Sequence, residues 1–151
     1  MKLILWFGIW LLFLPNAPYI ITDLMHLRLN PDSYLWLDIL VVTSFACNGL
    51  LLFYLSVLDM KNILKTYIKK PVNDILLITL LFLSSFGIYL GRFLRYNSWE
   101  ILSNPKYLIL DIFNIALQPI TYREAWLFTF LFGIFLNIGF WMFTQLYKSS
   151  I

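Results

Sequence analysis

Four polar residues near the start of the chain, Asn16, Tyr19, Asp23 and His26, follow steps of three, four and three. On a helix that spacing gathers them into one stripe. Asp23 and His26 could hydrogen-bond there, and an imidazole beside a carboxylate can exchange a proton near neutral pH. The plainer alternative is that the pair ties a helix end to its neighbours. Further along, Arg92, Arg95 and Trp99 form a second stripe, accompanied by Asn97 and Glu100. Two arginines can grip a phosphate. They can also serve structure, because an arginine at membrane depth costs about 2.5–3.5 kcal/mol unless it is paired, hydrated or able to snorkel. Asp23, Asp38 and Glu100 carry the opposite sign at the same expected depth. The expectation is therefore an ion-paired cluster towards one face of a membrane, with Arg92 paired to Asp23 or Asp38. Asp23 and His26 are the candidate catalytic residues. Asn16, Tyr19, Asp38, Arg92, Arg95, Asn97, Trp99 and Glu100 are candidates for the polar cluster or for holding a lipid headgroup.

Other chemistry finds no foothold in the motifs. One histidine cannot build a His-rich zinc site or a bis-His haem site, and the chain has no GxSxG elbow, P-loop, HExxH or dinucleotide fingerprint. The single cysteine, Cys47, excludes an internal disulfide and sits in an apolar run, where it packs as a small hydrophobe. No metal and no cofactor are expected.

The elements that must position these residues are membrane helices. Of the 151 residues, 61% are hydrophobic and 13% charged, against about 25% charged in soluble domains. Crossing a bilayer core of about 30 Å takes roughly 20 apolar residues. Three runs meet that length: Tyr34 to about Leu58, Ile75 to about Leu94, and Ala125 to about Tyr147. An earlier run, Leu3 to Leu14, gives only about 18 Å of helical rise before Pro15. Apolar character resumes at Tyr19–Ile21, which reads as one span broken at Pro15–Pro18, since proline removes a backbone donor and clashes with the preceding turn. The first apolar run leads into these prolines with no small-residue cleavage site, so no cleavable signal is expected. The stretch 106–120 is apolar with Asp111, Asn114 and Gln118 on one side. It reads as an interfacial helix, or one folded back on the bundle. The expected fold is an all-α polytopic bundle of about four spans, one transmembrane domain over residues 1–151. Deep in it, Asn48 and Asn137 are expected to hydrogen-bond between helices, and Ser84, Gly87 and Gly91 to admit a close neighbour.

The connection Asp59–Asp74 carries Lys61, Lys65, Lys69 and Lys70. The positive-inside rule makes this loop cytoplasmic, and Lys2 and Lys148 then fall on the same side. The formal charge of +3 is small and spread out, which fits helix orientation and not a nucleic-acid surface.

The strings Leu14-Pro15-Asn16-Ala17-Pro18-Tyr19, Thr22-Asp23-Leu24-Met25-His26-Leu27 and Gly91-Arg92-Phe93-Leu94-Arg95-Tyr96-Asn97-Ser98-Trp99 resemble the signatures of a bacterial membrane protein family catalogued as domain of unknown function 1361. The likeness runs from Trp10 to the last span. Glu100 stands where the family pattern has aspartate. The chain also begins close to the Pro-Asn-Ala-Pro string, as expected of a shortened member or of one that borrows packing surface from a partner. The resemblance implies a multi-pass protein of the bacterial cytoplasmic (inner) membrane and confers no activity.

Three functions compete. The leading one is a non-enzymatic subunit or assembly factor, whose partners are membrane lipids and either another membrane protein or further copies of itself. The second is an outer-leaflet enzyme acting on a lipid headgroup or lipid-linked substrate, with Arg92 and Arg95 on phosphate and Asp23–His26 as base or acid. The third, a small transporter, wants midplane charges and repeated halves, which the sequence lacks.

Overall fold

The computed structural model describes residues 2–26, 34–96 and 105–149, all of it helix and turn. Proline shapes the first span. Helix α1 (Lys2–Phe13) stops where Pro15 enters, a one-turn helix α2 (Asn16–Tyr19) follows, and a 3-10 helix (Ile20–His26) completes the segment. Together they form an apolar stretch, Leu5–Leu24, long enough to cross a bilayer. The broken first span expected from Pro15–Pro18 is thus present.

Three long helices make the other spans. They are α3 (Leu35–Lys65), α4 (Lys70–Arg92) and α6 (Arg123–Ser149), all long and apolar enough to cross. The protein is a multi-pass, all-α membrane protein. Helix α3 overruns its expected end at Leu58. Its 31 residues rise about 46 Å, more than the hydrocarbon needs. Beyond Asp59 the apolar period continues through Met60, Ile63 and the buried Leu64, so the chain stays helical while its polar residues multiply. The expected lysine loop therefore shrinks to a turn at residues 66–69. Lys61 of α3 pairs with Asp74 of α4 at 3.2 Å, and the buried Asn73 amide donates to the Lys61 carbonyl, closing that end.

Helix α4 is the hub, with the largest buried share of the four spans. One face meets α6, where Ser85 donates to the Thr129 carbonyl at 2.9 Å and Phe82 lies over Gly133. Leu77, Leu81 and Ile88 join Phe53 and Val57 of α3 and Leu136 of α6 in the main core. The other face carries Ser84, Gly87 and Gly91 towards the first span. A Cβ at Gly87 would come within 2.9 Å of Pro15, and one at Gly91 within 3.3 Å of the Tyr19 ring. Pro15 and Tyr19 are four residues apart, as are the two glycines, so the two segments mesh turn for turn. From the other side Gly49 of α3 admits the Ala17 carbonyl. The expected close neighbour of the small-residue face is the chain's own first span.

Helix α5 (Pro105–Leu117) is too short to cross and is the expected helix of 106–120. It buries Leu108 and Ile115, the latter against Tyr89 and Ala125, while Trp126 donates its indole N–H to the Ile115 carbonyl. Asn48 and Asn137 depart from expectation. Each donates its side-chain amide to a carbonyl one turn back in its own helix, at Ser44 and Gly133. An i−4 carbonyl is always within reach in a helix, and among the described residues no other helix offers either amide a partner.

Candidate functional site

The 3-10 helix brings the polar stripe to the end of α4. The guanidinium of Arg92 donates through one terminal nitrogen to Asp23 Oδ1 at 2.8 Å, and through the other to the Thr22 carbonyl at 2.7 Å. It also lies over the Tyr19 ring at 5.5 Å from the centroid, a cation–π distance. The Arg92 side chain is 9% exposed and that of Asp23 45%. The arginine is therefore nearly dry, while its partner reaches solvent or headgroups. Thr22 is buried and donates its hydroxyl to the Tyr19 carbonyl at 2.6 Å, which tightens the entry into the 3-10 turn. Arg92 pairs with Asp23, one of the two partners the sequence offered.

The third guanidinium nitrogen, Nε, is buried with no partner among the described residues. Just after α4 the chain reverses. Arg95 takes a left-handed backbone at φ 60°, which lets the Tyr96 amide bond back to the Leu90 carbonyl at 3.1 Å. The Tyr96 hydroxyl then donates to Asp111 of α5 at 2.7 Å. A non-glycine residue in that conformation costs about 1–2 kcal/mol, and the contacts on either side hold it there.

The remaining candidates separate. Asn16 opens α2 with its side chain exposed. Asp38 is exposed in the first turn of α3, where a carboxylate suits the helix dipole; the ion pair to Arg92 goes to Asp23 instead. Arg95 is exposed beside the cluster. His26 closes the 3-10 helix, and its side chain lies outside the described residues. So do Asn97, Trp99 and Glu100. Thr22 and the Tyr96–Asp111 bond were not singled out from the sequence. Nothing in the string marks a backbone carbonyl as a ligand, and Tyr96 and Asp111 are separated by a stretch with no regular period. Among the described residues no group of three His, Cys, Asp or Glu side chains gathers to hold a metal.

This geometry binds segments together. A nearly buried cation, a carboxylate, a carbonyl and an aromatic face fasten the far end of the broken span to α4, and the tyrosine bond fastens α5 to the same corner. No curated protein and no solved structure matches the chain. The three strings whose described residues meet at this corner lie inside a match over residues 1–138 to the family described as "Protein of unknown function (DUF1361)", and the chain belongs to that family.

Proposed function

We propose that the protein is a non-enzymatic membrane scaffold, a subunit or assembly factor of a membrane complex in the bacterial cytoplasmic membrane. The observation that carries this reading is the engagement of Arg92. Both terminal nitrogens are bonded within the chain and the ring of Tyr19 covers a face, so the motif residues do packing work. Lipid-facing surface for partners is ample. Trp126, Phe130, Trp141 and Leu146 of α6, and Leu37, Leu51 and Leu55 of α3, are all exposed. The small-residue face of α4 is not part of this support, because the first span occupies it.

The second reading, an outer-leaflet enzyme on a lipid headgroup, draws on the half-exposed Asp23 and on the exposed Arg95, three residues past Arg92. On that reading His26, three residues after Asp23 in the sequence, would exchange a proton in turnover. Complementation of a deletion strain separates the two. His26→Gln keeps a hydrogen-bonding side chain and loses the titrating group, so a scaffold tolerates it, whereas Gly91→Leu, which blocks the approach of Tyr19, abolishes function. Normal membrane abundance with complete loss of function in His26→Gln would overturn the scaffold reading and favour the enzyme.

A further inference from the structure

Asn48 stands ten residues after Asp38 and eleven before Asp59, the carboxylates that bracket the apolar length of α3. At helical rise that places it about 15 Å from either, the middle of a hydrocarbon layer about 30 Å thick. Its side chain is exposed. One amide proton goes to the Ser44 carbonyl, and among the described residues the side-chain oxygen Oδ1 accepts from nothing. A carbonyl facing lipid in this way loses the hydrogen bond that water would give it, at a cost of several kcal/mol.

The face around Asn48 is regular. Leu37, Val41, Ser44, Asn48, Leu51 and Leu55 alternate steps of four and three, and every one is exposed. Such a seam is the heptad pattern by which one helix wraps another. The helix's own partners lie on a different side, through Ala46, Gly49, Phe53 and Val57.

We propose that this seam docks a second copy of the same chain, the two α3 helices parallel and hydrogen-bonded through their Asn48 side chains. Two copies inserted with the same topology are related by a two-fold axis along the membrane normal. A residue at the midplane then meets its own counterpart at its own depth. An amide suits that meeting, because it offers a free N–H and a free carbonyl, and each satisfies the other. Ser44, small and one turn away, lets the backbones close in. A different partner chain would need a polar group placed independently at that depth. The inference goes beyond the scaffold reading and stands apart from it, since an enzyme could dimerise this way too.

The test uses the full chain in liposomes, in a Cys47→Ser background. Resonance energy transfer between copies labelled at Lys148→Cys measures dimer affinity over a range of protein-to-lipid ratios. Asn48→Leu should weaken the dimer about 5–30-fold, the equivalent of about 1–2 kcal/mol for a hydrogen bond between membrane helices, while Asn48→Gln keeps it. Independently, single cysteines at Ser44, Leu51 and Leu55 should form disulfide dimers on oxidation, and one at Leu127 on α6 should not. These positions read the docking face without touching Asn48. A monomer at every ratio, a dimer indifferent to Asn48→Leu, or cross-linking through Leu127 in place of the seam would each overturn the proposal. The complementation of His26→Gln would be unaffected by any of these results.

Discussion

Arg92 sets the terms at the scale of single residues. Its side chain is 9% exposed and its charge is met by one carboxylate and one carbonyl. Removing one partner of a buried pair typically costs about 3–5 kcal/mol, because the other charge is stranded. Asp23 is half-exposed and can recover water, so Arg92→Ala should cost less than that, about 2 kcal/mol, and Asp23→Ala more, since it strands the dry guanidinium. Among the described residues Lys65 bonds only to the exposed Asn62, and Lys65→Ala should be nearly silent. Thermal unfolding in detergent should rank the three as Asp23→Ala, Arg92→Ala, Lys65→Ala, from most to least damaging. Equal small effects would mean that the guanidinium is solvated. That the arginine must be paired was legible in the sequence, because sign and depth leave few options. That Asp23 wins over Asp38 was not. The outcome depends on a seven-residue 3-10 helix, longer than the three or four residues usual for that form, and no string pattern announces it.

Helix against helix, the glycines make a graded series. A Cβ at Gly49 would stand 2.5 Å from the Ala17 carbonyl oxygen, and backbone there cannot step aside. At Gly91 the obstacle is the Tyr19 ring at 3.3 Å, which can shift by a few tenths of an ångström. Gly8 has open space around it. Alanine substitutions should therefore destabilise in the order Gly49, Gly91, Gly8, with Gly49→Ala in the range of about 1–3 kcal/mol seen for overpacking and Gly8→Ala near zero. Protease resistance of the detergent-purified variants would rank them, and a neutral Gly49→Ala would mean that the first span does not sit where it is described. The spans themselves were legible from run length and from Pro15. The mesh of Pro15 and Tyr19 with Gly87 and Gly91 was half legible. The sequence shows a small-residue face, but periodicity says only that some helix comes close, not which one. The far end of α3 was misjudged for a related reason. Charge at Asp59 marks where lipid ends, and a helix supported by Leu64 in the core need not end there.

The whole molecule is electrically lopsided in a way that bears on its orientation. The end made by the start of α1, the turn at 66–69 and the close of α6 holds six lysines against two aspartates. Among the described residues the other end holds four basic and four acidic side chains, one of the basic ones being Arg92, tied inward to Asp23. Insertion responds chiefly to lysine and arginine near the ends of short connections, and the shortest connection between full-length spans, residues 66–69, contains Lys69 and is flanked by Lys65 and Lys70. Four crossings return the chain to its starting side, so a single choice places Lys2, the lysine turn and Lys148 together. The expected orientation has all three in the cytoplasm and the Asp23–Arg92 corner facing out. Cysteine labelling in intact cells measures this directly. In the Cys47→Ser background, Lys65→Cys should resist an impermeant maleimide until the cells are opened. Thr121→Cys, exposed in the turn between α5 and α6, should react at once. Reaction at 65 with protection at 121 would invert the protein and put the arginine corner in the cytoplasm, and an outward-facing substrate for Asp23 and His26 would then be ruled out.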